Sequence, residues 1–320
     1  MHQKLYSKLA LELKKSELIR SRSRIERFSR NAPNCYKVYT IPKRTSGYRV
    51  IAHPSKELKI YQRALTSILS DSLKAHHTSY AYKKGFSIKD NALKHAKNKY
   101  LLKMDFNDFF NTIEPDIFHQ ALNRLKLKFS DAEKRLLTQL LFWNKTKSSA
   151  LKLVLSVGAP SSPLISNFVM FEFDQVVHEY CNEKSIVYTR YADDITFSSS
   201  VKGNLFNVPH FVQEVLGKAY NYRISVNESK TVFSSKAHNR HVTGITLAND
   251  NTLSIGRTKK RMTSAMVHKY SINKLDSNDF NYLKGLLSFI SHVEPQFFER
   301  LKKKYGNDVL NRISKGDLNE

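Results

Sequence analysis

The 320-residue chain carries 53 Lys and Arg against 28 Asp and Glu, a net charge of +25. That excess goes beyond what solubility requires and points to a polyanion, most simply nucleic acid. Two cysteines, Cys35 and Cys181, exclude a disulfide framework and a four-cysteine zinc site. The chain has no run of 18 apolar residues and no signal-peptide pattern, which argues against a membrane partner and makes the cytoplasm the default compartment. The length suits one large domain or two to three subdomains.

Residues 1–30 hold nine Lys/Arg and three Asp/Glu. Leu5, Leu9, Leu13 and Leu18 recur at roughly helical spacing and predict one basic amphipathic helix, followed by an Arg-rich run from Arg20 to Arg30. Such a segment is either a phosphate-gripping arm or a solvated face. Residues 36–52 predict a β-hairpin, with Val38, Tyr39 and Ile41 in one arm and Tyr48, Val50 and Ile51 in the other. Lys43, Arg44 and Gly47 fall in its turn, and Pro54 ends it. Arg49 offers a fork for a triphosphate; a basic surface hairpin is the plainer reading. Glu57 to Leu69 reads as a helix with Leu58, Tyr61, Leu65 and Leu69 on one face. His76-His77 reads as a loop pair rather than a ligand pair. Ser87–Lys97 reads as a helix placing Asn91 and His95 on one side, by themselves a packing or capping arrangement.

Tyr100 to Met104 is an apolar strand running into Asp105, a carboxylate that needs a partner if buried. Asp108 is a turn or cap residue. Residues 130–143 predict a helix ending near Trp143. Leu151–Asn167 reads as a strand, a glycine-containing loop and a helix start, with Ser161 or Ser162 as cap and Pro163 in the first turn. That helix should continue with Leu164, Phe168, Phe171 and Val176 on one side. Tyr188–Ser198 (Y-T-R-Y-A-D-D-I-T-F-S) reads as a tight hairpin around Asp193 and Asp194. Pro209 to Tyr220 is helical. Arg223–Val226 and Thr231–Phe233 are short strands bracketing N-E-S-K, with Lys230 at its end. His241–Leu247 is a strand pair around Gly244. Residues 257–304 carry eleven Lys/Arg and four Asp/Glu over two or three helices, with Leu283, Leu286, Leu287 and Ile290 as a core stripe. A helical clamp along a phosphate backbone fits that pattern.

Asp105 and Asp193-Asp194 each stand at the edge of a β element. Two strands side by side would make a three-carboxylate site for hard, oxygen-preferring cations, two Mg²⁺ in the usual arrangement. Phosphoryl-type transfer needs positioning and charge neutralisation above all. Lys230 could donate a proton to departing pyrophosphate; pairing with surface acids is the structural alternative.

On these residues the chain resembles the reverse transcriptases, specifically the bacterial retron reverse transcriptases. Tyr191-Ala192-Asp193-Asp194 matches the family's Y-x-D-D box, and Leu102–Phe110 resembles the motif carrying the first metal aspartate, here Asp105. The resemblance places metal ligands on Asp105, Asp193, Asp194 and the backbone carbonyl of Phe106. Phe110 falls on the steric-gate position that disfavours a ribose 2′-OH. Gly158-Ala159-Pro160-Ser161-Ser162-Pro163 resembles the loop-helix motif beside the incoming nucleotide, with Val157 where Gln is common. Arg49, Pro54, Leu58, Lys59 and Gln62 resemble the fingers motif. Asn91-Ala92-x-x-His95 and Val242-Thr243-Gly244 resemble two retron signatures, the latter in a region associated with recognising the cognate RNA.

The resemblance implies an α+β right hand with an antiparallel palm sheet backed by helices. In that scheme a basic N-terminal helix covers 1–30, fingers 31–99 and 118–160, palm 100–117 and 161–250, and a helical thumb 251–320. Asn91, His95, Val242, Thr243 and Gly244, with Arg257, Lys259, Lys260 and Arg261, would contact RNA. Phe106, Phe110, Arg49, Gly158, Ala159 and Pro160 would contact the dNTP. The implied activity copies part of a structured non-coding RNA (msr RNA, template and primer) into branched single-stranded msDNA from an internal guanosine 2′-OH. Anti-phage defence with a separate effector protein, and template removal by a host RNase H in trans, complete the implied picture. The competing readings are a group II intron-like or CRISPR-associated reverse transcriptase, and a polymerase-derived RNA-binding scaffold.

Overall fold

The computed structural model describes residues 4–42, 47–146 and 151–317. The basic N-terminal segment makes two helices, α1 (Lys4–Lys15) and α2 (Arg22–Asn31), where the sequence predicts one. The backbone turns at Glu17, with φ +60°, so Leu18 leaves the leucine stripe. Leu5, Leu9 and Leu13 are buried in the main core together with α3 (Lys56–Leu69). The segment is therefore anchored by its apolar face while its cations point outward.

Strands β1 (Tyr36–Pro42) and β2 (Tyr48–Pro54) form the expected antiparallel hairpin. Lys43 and Arg44 of its turn lie outside the described residues. Ser55 caps α3 by accepting the Leu58 N–H. Ser87 and Asp90 form a reciprocal capping box at the start of α4 (Ile88–His95).

The central sheet is antiparallel, in the order β6-β7-β3-β8: β3 (Tyr100–Asp105), β6 (Val187–Tyr191), β7 (Asp194–Ser199) and β8 (Val232–Ser235). Between β3 and β6 run α5 (Phe109–Thr112), α6 (Pro115–Arg124), α7 (Asp131–Leu141), the short pair β4 (Trp143–Asn144) and β5 (Leu153–Val154), α8 (Ser162–Val169) and α9 (Phe171–Glu183). The helix predicted through Val176 is interrupted at Met170, and Val176 itself is exposed. Helix α10 (Val208–Tyr220) follows β7. Phe173 and Val177 of α9 and Val212 and Leu216 of α10 share one core with Phe197 of the sheet. The strand expected at Arg223–Val226 is reduced to a single bridge between Val226 and Phe106, and residues 228–230 form a 3-10 turn.

A second core lies beyond the sheet. The three-stranded sheet β9 (Arg240–Val242), β10 (Ile245–Leu247) and β11 (Leu253–Ser254) packs with Ala92 of α4 and with Ala96 just beyond its end. The helices α11 (Arg257–Ser271), α12 (Ser277–Val293), α13 (Pro295–Tyr305) and α14 (Asn307–Lys315) complete it, and Leu283, Leu286, Leu287 and Ile290 are buried there as expected. Among the described residues, no helix is long and apolar enough to cross a membrane.

One fully buried ion pair ties α9 to β6. Arg190 Nη2 lies 2.7 Å from Asp174 Oδ2, Arg190 Nε donates to Asp174 Oδ1 at 2.8 Å, and the Tyr188 hydroxyl donates to the same Oδ1 at 2.7 Å. Removing one partner strands the other charge in the core. Asp174→Ala is therefore expected to lower stability by about 3–5 kcal/mol, read by urea unfolding; a loss below about 1 kcal/mol would contradict this role.

Candidate active site

Pairing of β3 with β7 sets Asp105 directly opposite Asp194. The two-residue turn Ala192-Asp193 then joins β6 to β7, and the Phe106 N–H donates to the Asp193 carbonyl at 3.1 Å. Adjacent strand residues face opposite ways, so the turn is what brings Asp193 and Asp194 to one end of the sheet. Ala192 takes φ +58°, a conformation that costs a non-glycine residue about 1–2 kcal/mol. Arg190 Nη1 holds the Ala192 carbonyl at 3.0 Å, and Asn167 Oδ1 accepts from the same nitrogen at 3.1 Å. Arg190, Asp174 and Asn167 escaped the sequence reading. The available signal was a cation inside the apolar run of β6, at a position that demands a buried partner.

Lys230 reaches the site through the loop beside β3. The Asn107 N–H bonds the Ser225 carbonyl and the Asn227 N–H bonds the Asp105 carbonyl, setting the 3-10 turn against the end of β3. Lys230 Nζ then lies 2.8 Å from Asp105 Oδ1.

The three carboxylates share one field. Burial, then the charge of Asp105, raises the pKa of Asp193, while Lys230 and Arg49 lower it. Burial and the charges of Asp193 and Asp105 push Asp194 up to about 6. The Asp194 side chain keeps solvent access at the mouth of the cleft, and water there screens part of the repulsion. Among the described residues no group of three or more His, Cys, Asp or Glu side chains is arranged to hold a metal ion as it stands. The donor set still fits a hard divalent cation. It is all oxygen, it carries excess negative charge, and Asp105 already accepts one cationic group, the Lys230 ammonium.

Beside the carboxylates, the loop before α8 lies on β2. Ser156 Oγ donates to the Ala52 carbonyl, and a Cβ on Gly158, at φ +117°, would sit 3.4 Å from Ile51 Cγ2. Ala159 is buried and Pro160 half-buried. The expected caps Ser161 and Ser162 make no cap bond, and both hydroxyls are buried without a partner. Val157 is half-buried and supplies no amide. Arg49 is exposed on β2, and its charge reaches Asp193. The Phe106 ring is core: it stacks on Phe109 at 5.4 Å and meets Phe173 edge-on, leaving only its backbone for a substrate. Phe110 is half-buried against Phe109.

The two retron-like signatures sit together. His95 is fully buried, with Nδ1 2.7 Å from Ser198 Oγ and Nε2 2.8 Å from Thr189 Oγ1, and burial lowers its pKa to about 3. Asn91 is buried too, with no partner for its amide. Neither side chain offers surface to RNA in this structure, in contrast to the expected contact. They are packed inside because α4 is wedged between β6 and the β9–β11 sheet. Val242 is buried, while Thr243 and Gly244 form a two-residue turn with φ +48° and +81°. Thr243 Oγ1 donates to the Ile88 carbonyl at 3.3 Å, and Lys259 Nζ to the Gly244 carbonyl at 3.4 Å. A cavity of about 350 Å³ separates this turn from the carboxylates, lined by Asp194, Tyr191, Lys103, His241, Thr243 and Gly244 among others. Arg257 and Arg261 are exposed, whereas Lys260 is paired with Glu294. His76 is a satisfied interior residue, bonded to Thr78 and Gln175.

The raised pKa of Asp194 has a sign in stability. An acid whose folded pKa lies above its unfolded value stabilises the fold below the unfolded pKa and loses that contribution as pH rises through the folded one. Without divalent ions, Asp194→Asn should be more stable than the parent at pH 7.5, and the difference should shrink to nothing toward pH 4. Thermal melts in chelator across that range check this; a pH-independent difference would refute it.

Residues 41–247 match the family described as reverse transcriptase (RNA-dependent DNA polymerase). The chain is 48% identical over 280 residues to the Retron Ec83 reverse transcriptase of Escherichia coli, covering 88% of this chain and 90% of that protein. The Retron Ec73 reverse transcriptase of Escherichia coli is 32% identical, with 87% and 89% covered. Among solved structures, apo telomerase from Candida tropicalis aligns with a TM-score of 0.50 at 12% identity, over 87% of this chain and 62% of that one, a likeness of fold alone. This chain, with its α+β right-hand fold, belongs to the reverse transcriptase family, and within it to the retron reverse transcriptases.

Proposed function

We propose that this RNA-directed DNA polymerase copies part of a structured non-coding RNA, the msr RNA, into branched single-stranded msDNA primed from an internal guanosine 2′-OH. The observation carrying the proposal is the β3–β7 register that sets Asp105 against Asp194 in a chain of this family. We further assign residues 31–99 and 118–160 to the fingers, 100–117 and 161–250 to the palm and 251–320 to the thumb. Action in phage defence with a separate effector, and removal of template RNA by a host RNase H, belong to the same proposal.

Asp105, Asp193, Asp194 and the Phe106 carbonyl would hold two Mg²⁺ ions. When bound, such ions make the attacking hydroxyl more acidic and neutralise the leaving pyrophosphate. The chain's own groups do the rest. Lys230 gives up its pairing with Asp105 and carries on Nζ the proton for a pyrophosphate oxygen. Arg49 forks onto the triphosphate. The Gly158-Ala159-Pro160 loop borders the incoming nucleotide, and Phe110 crowds a ribose 2′-OH. The cavity between Asp194 and the Thr243-Gly244 turn suits the priming nucleotide. Exposed Arg257 and Arg261, with Lys259, Lys260 and the Thr243-Gly244 turn, line the path of the RNA backbone, while the buried Val242 only supports that turn. The interior Asn91 and His95 serve that path indirectly, by fixing α4.

Two measurements test this. Primer extension on an RNA template with Mg²⁺ should fall at least about 10³-fold in Asp193→Asn/Asp194→Asn, the scale of losing a preorganised electrostatic site. RNA binding without extension by the parent protein would instead favour a scaffold. Phe110→Val should raise ribonucleotide incorporation relative to deoxynucleotide by about 10-fold or more, as expected for opening a steric pocket; unchanged discrimination would remove Phe110 from that role.

A further inference from the structure

A second pocket lies away from the aspartates. It has a volume of about 590 Å³ and is walled by the end of α2, the start of α7 and β5. That size falls within the ~300–1,000 Å³ range of small-ligand sites. Besides the neutral polar side chains of Asn34, His119, Thr138 and Gln139, its lining brings together two chemistries. Arg30, Lys134 and Arg135 supply three cations, while Pro33, Leu151 and Leu153 supply an apolar wall. Asp131 is the one acid in the lining, and none of the three cations forms an ion pair with an acidic side chain among the described residues. Within the N-terminal segment Lys15, Arg20 and Arg22, by contrast, are already engaged by Glu12, Glu57 and Glu26.

Three cations against one acid leave the concavity net positive in a protein of net charge +25, at an electrostatic cost. An anion relieves that cost. The apolar wall beside them is unsuited to a bare inorganic anion but suits the face of an unstacked base. RNA exposes such bases in loops, bulges and ends, which proteins hold by stacking and backbone contacts.

We propose that this pocket takes one unpaired nucleotide of the RNA partner. Arg30, Lys134 and Arg135 contact its flanking phosphates, and the base lies against Pro33, Leu151 and Leu153. This deepens the polymerase reading and rests on it for the identity of the polyanion. The site makes the N-terminal segment an RNA-anchoring device through Arg30, with α1 as its mooring to the core.

The test uses the full chain and a fluorescein-labelled 30-nucleotide single-stranded RNA of mixed sequence, with binding measured by anisotropy from low to moderate salt. Replacing Arg30, Lys134 and Arg135 by Ala should lower the slope of log affinity against log salt by about 2, since each single-strand phosphate contact contributes about 0.7. In parallel, the same RNA carrying 4-thiouridine should cross-link to the peptide holding Leu151 and Leu153 in the parent protein and lose that cross-link in the variant. An unchanged slope, or no cross-link at Leu151–Leu153 in the parent, overturns the proposal. Should the triple variant unfold, Arg135→Glu alone, on an exposed position, should lower the slope by at least about 0.7, and an unchanged slope there overturns the proposal as well. Failure of the polymerase reading is seen separately, as absence of extension by the parent protein whatever the slope.

Discussion

Three carboxylates held in one field repel one another, and much of the central sheet serves to hold them there. Asp105 and Asp194 are locked opposite each other by the β3–β7 ladder, and Asp193 is fixed by the bond from the Phe106 N–H to its carbonyl. The turn between them bends through a non-glycine residue with positive φ. Strain of this kind persists where the surroundings over-determine it. Here the surroundings are Arg190, which grips the turn's carbonyl, and Asp174, which neutralises and orients Arg190 from α9. Lys230 contributes from the other side as a cation on Asp105. The result is a site whose excess negative charge is held in a rigid frame.

The two short retron-like signatures form one joint. The His95 ring bridges β6 and β7 through Thr189 and Ser198, and the same helix accepts Thr243 of the V-T-G turn at its first carbonyl. Helix α4 thus links the β6–β7 hairpin to the sheet that packs on the C-terminal helices. Burial keeps His95 neutral, so both ring nitrogens serve this geometry at ordinary pH. A side chain in such a position acts by placing the turn, with no exposed surface of its own.

The basic charge is distributed with the same economy. The leucines of α1 are buried in the main core, so the N-terminal cations ride on an anchored surface. At the other end, Lys260 is engaged by Glu294 while Arg257 and Arg261 remain exposed. The excess of positive charge is thus carried on packed elements, which lowers the entropy lost when a polyanion is gripped.

Local pattern was enough for the elements that carry the site. The apolar run into Asp105, the tight hairpin carrying Asp193 and Asp194 (its turn one residue earlier than expected, at Ala192-Asp193), the glycine loop before α8 and the leucine stripe of α12 were legible, because alternation and capping are local physics. The convergence of the three aspartates was legible only as a wager on strand pairing, since register depends on partners far away in the chain. Tertiary structure alone decided that Asn91 and His95 point inward, that Phe106 is core, that α8 ends at Met170 and that Lys230 rests on Asp105. It alone revealed Arg190 and Asp174. Which face of a helix is buried, and which charge finds a buried partner, is set by neighbours brought together in folding, and a one-dimensional pattern carries no record of them.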